Sequence, residues 1–174
     1  MGDLTFVPYN DETHRSSFFE LNLEYLIGAN EVMYDEYGIY LIPDGTVKDY
    51  LESVFPTFTA IKPPNGIIFI LEDDGNPVGM GALKKLEDGV GEIKRMYIRP
   101  DYRGGYGKKL YGLLEDKARE FGFSVLRLDT ARVAAAAVNI YRKVGFKEIE
   151  GYSGGEWEGS NNLDSIVIFM EKHL

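Results

Sequence analysis

The stretch Gly91-Glu92-Ile93-Lys94-Arg95-Met96-Tyr97-Ile98-Arg99-Pro100-Asp101-Tyr102-Arg103-Gly104-Gly105-Tyr106-Gly107-Lys108-Lys109 decides the fold. Its first eight residues have strand composition and Pro100 closes that strand. Beyond it Leu110, Leu113, Leu114, Ala118 and Phe121 recur at helical spacing. Between strand and helix, Gly104, Gly105 and Gly107 permit a turn in which successive backbone N–H groups face one point. The helix N-terminus adds about half a positive charge there, and the combination suits a pyrophosphate. Charge agrees. Residues 94–109 hold six cations against one anion, +5, in a chain of formal net charge −9, which leaves −14 elsewhere. A glycine turn flanked by solvated lysines has the same composition. Two other phosphate patterns are absent. Lys109 stands where a P-loop requires Ser or Thr, and Gly105-x-Gly107 lacks the third glycine of the dinucleotide fingerprint.

A meander precedes this stretch. Residues 67–71 and 78–83 read as strands joined by Asp73-Asp74-Gly75-Asn76, and Glu87-Asp88-Gly89 turns into the third strand. Further back, residues 4–7 form a short strand stopped by Pro8. Asn10 or Asp11 caps a helix to about Gly28 with Phe19, Leu23 and Leu26 on its inner face, and a helix from Thr46 to Phe55 is ended by Pro56. Residues 33–43 read as irregular. On the C-terminal side, residues 125–128 read as a strand and 134–144 as a helix stopped by Gly145. Two more strands, 146–149 and 165–170, flank a glycine-rich loop at 151–159. This order predicts an α/β fold with a mixed, mostly antiparallel central sheet of about six to seven strands and about four helices, in a single domain over residues 1–174.

Composition narrows the chemistry. At 174 residues with 44% hydrophobic and 27% charged residues, the chain can bury a core of its own. The absence of cysteine removes disulfides, thiolate metal sites and a cysteine nucleophile. Two histidines near opposite ends, His14 and His173, do not make a metal site, so no metal is expected. The acidic sum argues against nucleic acid and against an anionic membrane surface as partners. Residues 1–6 lack a secretory pattern and no 18-residue apolar run exists, so a cytoplasmic location is expected.

Two blocks at compatible spacing resemble a known family. Gly91 to Pro100 followed by Tyr102-Arg103-Gly104-Gly105-Tyr106-Gly107 looks like motif A of the GNAT superfamily of acyl-CoA-dependent N-acetyltransferases. Asn139-Ile140-Tyr141-Arg142-Lys143-Val144-Gly145-Phe146 looks like its motif B, and the order of elements matches from first strand to last. The resemblance implies acetyl-CoA as co-substrate and direct transfer of its acetyl group to a primary amine, on a small molecule or a peptide, in a ternary complex. A non-catalytic acyl-CoA-binding or sensor module on the same fold is the alternative. The resemblance further implies cofactor contacts through Met96, Tyr97 and Ile98, on a strand that splays from the strand at 125–128. Its main chain would pair with the pantetheine arm. Arg103, Gly104, Gly105, Tyr106, Gly107 and Lys108 would cradle the pyrophosphate. Tyr141 is implied as the acid for the leaving thiolate, or else as an aromatic wedge between helix and sheet; Glu92 is implied as the general base, or else as a salt-bridged carboxylate. Asp129 is a candidate for binding the cationic amine. There are departures from the family pattern. Arg103 precedes Gly105 by two residues where the pattern has three, so either the loop is one residue shorter or Tyr102 takes the arginine's place. Ala134 stands seven residues before Tyr141 where Asn is frequent, and Asn139 lies about 200° around the helix from Tyr141.

The acceptor pocket is less defined. Tyr34, Asp35, Tyr37 and Tyr40 lie between the first two helices, and Tyr152 borders the same region in the family reading. Aromatics with carboxylates hold a cationic amine, but the composition equally suits a packed loop or a homodimer contact. Gly151-Tyr152-Ser153-Gly154-Gly155 also satisfies Gly-x-Ser-x-Gly, the nucleophile elbow of serine hydrolases. That motif requires a helix next, where this chain has loop-like residues, and only His173 follows in chain order.

Overall fold

The computed structural model describes residues 3–155 and 165–174. The strands are β1 (Leu4–Pro8), β2 (Gly66–Asp73), β3 (Asn76–Glu87), β4 (Val90–Ile98), β5 (Val125–Ala131), β6 (Lys147–Ile149) and β7 (Val167–His173). The helices are α1 (Asp11–Tyr37), α2 (Val47–Thr59), α3 (Tyr106–Glu120) and α4 (Ala135–Lys143). They form a seven-stranded sheet of order β1-β2-β3-β4-β5-β7-β6. All neighbouring pairs are antiparallel except β4 and β5, which α3 connects as a parallel crossover. The mixed, mostly antiparallel fold with four helices agrees with the sequence reading.

β2 shows why the apolar run at 67–71 does not alternate: both faces of the sheet are covered. Ile67 and Phe69 enter the core with Leu110, Leu114 and Ala118 of α3. Ile68 and Ile70 enter the opposite core with Phe18 and Leu21 of α1 and Leu51 and Phe55 of α2.

Two helices run further than their sequence signals indicate. α1 passes through Gly28 and ends at Tyr37, where Gly38 takes the left-handed conformation (φ 68°) that a C-cap favours. The extension is held by tertiary contacts. Met33 is buried against Ile166 and Val167, and the buried Asn30 side chain clamps the backbone of Ile42, donating to its carbonyl at 2.7 Å and accepting from its N–H at 3.0 Å. The fully buried stripe of α1 is Phe18, Leu21 and Leu26, with Phe19 and Leu23 at its margin. α2 carries Pro56 inside its last turn and continues to Thr59, because Phe58 is buried in the same core as Phe55. Of the glycine-rich loop expected at 151–159, residues 156–159 lie outside the described residues. No helix among the described residues is long and apolar enough to cross a membrane.

A polar cluster fastens α3 to β7 through an otherwise apolar layer. Lys172 Nζ donates to Glu115 Oε2 at 2.6 Å and to the Tyr111 hydroxyl at 3.1 Å. Arg119 donates to Glu115 Oε1 at 3.0 Å, and Tyr111 also donates to Glu115. Burial alone would raise the Glu115 carboxyl, but the bonds from Lys172, Tyr111 and Arg119 outweigh it and hold the group below the ordinary range. A carboxyl depressed in the folded state contributes stability above its unfolded pKa and loses it as pH falls. Glu115→Gln should therefore cost about 1–3 kcal/mol at pH 7 in urea denaturation, with the difference from wild type closing below about pH 4. An equal loss at both pH values would show that the charge is not what fastens the helix.

Candidate active site

β4 and β5 share three residue pairs, Val90↔Val125, Gly91↔Leu126 and Glu92↔Arg127, and then part. Among the described residues, no strand lies beside the β5-facing edge of β4 from Ile93 onward, while β5 continues on its other edge against β7 as far as Ala131↔Val167. The split opens a cleft of about 510 Å³ between Ile93–Tyr97 on one side and Asp129–Ala131 on the other. α1 forms one end of the cleft and Ala134, Ala137 and Tyr141 the other.

The parting coincides with a distortion of β4. Register against β3 shifts between Met80 and Ala82, opposite Lys94–Tyr97, and Arg95 takes a positive φ of 55°. For a residue with a bulky side chain that conformation costs about 1–2 kcal/mol. The surroundings hold it: Arg95 is buried, with its guanidinium 4.8 Å from the Phe58 ring and 5.5 Å from the Tyr25 ring. Sequence reasoning passed over Arg95, and no positional signal singled it out, because only Gly announces a left-handed position in sequence.

Lys94 and Asp129 line the cleft and belong to a buried charge cluster that extends behind it. Glu92 is 1% exposed. Lys94 Nζ lies 3.4 Å from Glu92 Oε1 and 4.0 Å from Asp129 Oδ2, and the Tyr152 hydroxyl donates to Glu92 Oε1 at 3.0 Å. The Tyr152 ring packs edge-on against Phe169, with Arg127 5.4 Å from its centroid. Burial first, and then the negative charges of Glu92 and Asp129, push the Tyr152 phenol far up, so it stays protonated as a donor. The structure thus brings Glu92, Asp129 and Tyr152 together, and adds Lys94, which had figured only in the charge count. The chain approaches this cluster closely: a Cβ on Gly155 would lie 3.4 Å from Tyr152, 3.8 Å from Asp129 and 3.9 Å from Glu92.

Tyr141 lines the cleft on α4. Its ring packs edge-on against Phe146 at 5.8 Å, and its hydroxyl donates to Met96 Sδ at 3.8 Å. Burial, with Tyr25 and Asp129 adding to it, raises its pKa, so the phenol is protonated at neutral pH.

At the outer end, a 3₁₀ turn (Pro100–Tyr102) leads into α3, and Gly104 (φ 58°) and Gly105 (φ 95°) both adopt left-handed conformations. A Cβ at Gly104, Gly105 or Gly107 would meet nothing within 4 Å, so the concavity is open. Among the described residues the N–H groups of Gly104, Gly105, Gly107 and Lys108 have no protein partner, as a phosphate-binding helix start requires. Arg103 borders the cleft and is exposed; its Nε donates to the Ile98 carbonyl at 3.3 Å. Met96 and Tyr97 line the cleft. Ile98 is buried with Leu71 and Val78, so only its main chain is available to a ligand.

Other predicted residues lie elsewhere. Tyr34 and Tyr37 are on the exposed C-terminal end of α1, 49% and 41% exposed, and do not line the cleft. Tyr34 instead stacks on Tyr40 at 4.5 Å. The reason is the longer α1: position 34 lies about 100° around the helix from the buried Met33, and Tyr37 is the last, exposed residue before the Gly38 cap. The hydrolase pattern is not assembled. Tyr152, beside Ser153 in the chain, packs on Phe169, whereas His173 is 80% exposed in its side chain and sits four residues beyond Phe169 on β7, about 13 Å along the strand.

Comparison with known proteins agrees with this geometry. The family model described as Acetyltransferase (GNAT) family matches residues 30–146. An IAA acetyltransferase of Azospirillum brasilense is 33% identical over 134 residues, covering 72% of this chain and 84% of that protein. An acetyltransferase from Streptococcus agalactiae superposes with a TM-score of 0.71 at 21% identity over 98% of both chains. The PaiA N-acetyltransferase of Thermoplasma acidophilum, solved with coenzyme A, superposes with a TM-score of 0.68 at 18% identity over 99% of both chains. A split sheet with an open glycine-rich helix start, in a chain matched by that family model over most of its length, makes this protein an acyltransferase of the GNAT acetyltransferase family.

Proposed function

We propose that the protein, acting as one catalytic domain, transfers the acetyl group of acetyl-CoA to a primary amine. The observation that carries the reading is the split between β4 and β5, whose cleft runs from Asp129 and Lys94, the ion partner of the buried Glu92, to Arg103 at the glycine-rich start of α3. Acetyl-CoA, when bound, supplies an activated acyl thioester. The backbone N–H groups of Gly104, Gly105, Gly107 and Lys108 would hold its pyrophosphate, with Arg103 and Lys108 adding charge. The open edge at Met96, Tyr97 and Ile98 would hydrogen-bond its arm.

The chain's own side chains account for the protons. Glu92, reached directly or through a water, takes a proton from the incoming ammonium and frees the lone pair that forms the new N–C bond. The C–S bond breaks with its electron pair on sulfur, and Tyr141 gives its hydroxyl proton to that sulfur. The second proton leaves nitrogen as the amide forms and restores the phenol, so the sum is one amide, one thiol and one proton released to solvent. Burial raises thiol and phenol alike, which keeps a proton transfer between them feasible. Tyr152 positions Glu92 by donating to Oε1, and Lys94 balances part of the local negative charge. A non-catalytic binding module would leave a carboxylate buried beside the cleft without use.

Saturation at a hundred times the dissociation constant adds about 2.7 kcal/mol, so acetyl-CoA should raise the melting temperature by about 5–10 °C for a chain of this size. No shift at millimolar acetyl-CoA would sink the reading. Tyr141→Phe keeps the ring against Phe146 and should lower kcat about 100-fold with that melting shift intact; unchanged turnover removes Tyr141 as the acid. Glu92→Gln should lower kcat/KM at pH 7 by a similar factor. The loss should shrink as pH approaches about 10, where the amine is deprotonated in solution. A deficit constant from pH 7 to 10 would assign Glu92 a purely structural role.

A further inference from the structure

Past Glu92, β4 is paired on one edge only among the described residues. Its last residues lean on β3: Tyr97 pairs with Met80, Ile98 with Gly79, and the Arg99 N–H donates to the Val78 carbonyl at 3.0 Å. Directly after Arg99 comes Pro100, the start of the turn that leads to Gly104 and Gly105. The end of β4 is therefore also the root of the glycine-rich helix start. A strand end with backbone bonds on one side opens easily unless side chains fix it.

α1 supplies that anchor through Glu24. Tyr97 and Arg99 are two positions apart, so their side chains leave the strand on one face, and both reach the Glu24 carboxylate. Arg99 Nη2 donates to Oε1 at 2.6 Å and Arg99 Nε to Oε2 at 3.0 Å; the Tyr97 hydroxyl donates to Oε2 at 3.3 Å. Arg99 Nη1 donates to the Pro77 carbonyl near the start of β3 at 3.3 Å. Glu24 lines the cleft, as do Tyr97 and Arg103. The bonds from Arg99 hold the Glu24 carboxyl below the ordinary range against the opposing pull of partial burial, and Tyr97 adds to that, so the pair is charged at neutral pH. With the Arg99 and Glu24 side chains 34% and 38% exposed, such a pair contributes little to stability. What its two-pronged geometry fixes is orientation. By charge alone the placement is unfavourable: Arg99 belongs to the basic stretch at 94–109, and a carboxylate that neutralises it weakens the pull on a pyrophosphate.

Resting on the assignment of acetyl-CoA to this strand edge and helix start, we propose that Glu24 is a positioning residue for the co-substrate. It latches α1 to the end of β4 and so holds the carrier-binding edge and the root of the glycine turn in their binding positions before acetyl-CoA arrives. The latch gives up some electrostatic attraction for a site that is ordered in advance.

Calorimetric titration with acetyl-CoA tests this, because a latch and a mere surface acid predict opposite signs. As a latch, Glu24→Ala should raise the dissociation constant about fivefold or more, the cost of ordering Tyr97 and Arg99 on binding. As a surface acid beside a polyanion site, its removal should leave binding unchanged or tighten it; either result overturns the proposal. The melting temperature of the unliganded variant should stay within about 4 °C of wild type. A larger fall would make Glu24 a stability residue and overturn the positioning role. In an Arg99→Ala background the latch is already open, so Glu24→Ala should weaken binding no further; an equal loss in both backgrounds overturns the latch and leaves the acetyl-CoA site standing. Failure of the wild-type chain to bind acetyl-CoA overturns the underlying reading and the latch with it.

Discussion

Everything at the active cleft follows from two neighbouring strands that stop being neighbours. β4 and β5 pair through Glu92↔Arg127 and then separate, although each continues along its other edge. Inside a sheet, unpaired backbone groups are costly unless water or a ligand satisfies them. The split is therefore sustained by what packs on its two sides. β4 is turned by its register shift at Lys94–Tyr97 and by the left-handed Arg95, which two aromatic rings hold in place. β5 is held by an unbroken ladder with β7. The sheet thus offers an acyl carrier a strand edge that it denies to water-free packing.

The same parting explains where charge can be buried. Glu92 stands on the last paired position of β4, where the sheet is still closed and solvent is excluded. Asp129 stands two residues past its partner position on β5, where the cleft begins. Lys94 spans the two, and Tyr152 covers Glu92 from the far side. A buried carboxylate without compensation is unstable; for Glu92, Lys94 and the Tyr152 hydroxyl supply it. Backbone dipoles at the start of α3, in contrast, present a positive concavity. The glycine-rich helix start and the buried charge cluster thus flank one split, set by elements that meet only in the folded sheet.

Much of the architecture was legible in the residues because local chemistry and global fold agree there. The meander was readable from Asp73-Asp74-Gly75-Asn76 and Glu87-Asp88-Gly89, whose turns match the observed hairpins. The glycine-rich start of α3 was readable from Gly104 and Gly105, since glycine marks left-handed backbone. The helix ends were less so. Gly28 and Pro56 are strong local stop signals, yet α1 and α2 run through them, because Asn30, Met33 and Phe58 make contacts with partners distant in sequence. That extension carried Tyr34 and Tyr37 onto solvent and left Val32 and Met33 at the cleft.

By itself the sequence determined the mixed sheet with four helices and the glycine-rich start of α3, and it singled out Glu92, Asp129, Tyr141 and Tyr152 as candidates, since turn residues, hydrophobic period and local charge are all written within a few positions of each other. Only the tertiary structure decided that Lys94 joins Glu92 and Asp129, that Arg95 is left-handed and stacked between rings, and that Val32 and Met33 of α1 line the cleft. Those facts depend on which residues of α1, α2, β4 and β5 are brought face to face. That is a matter of packing between segments up to about a hundred positions apart, and no local pattern encodes it.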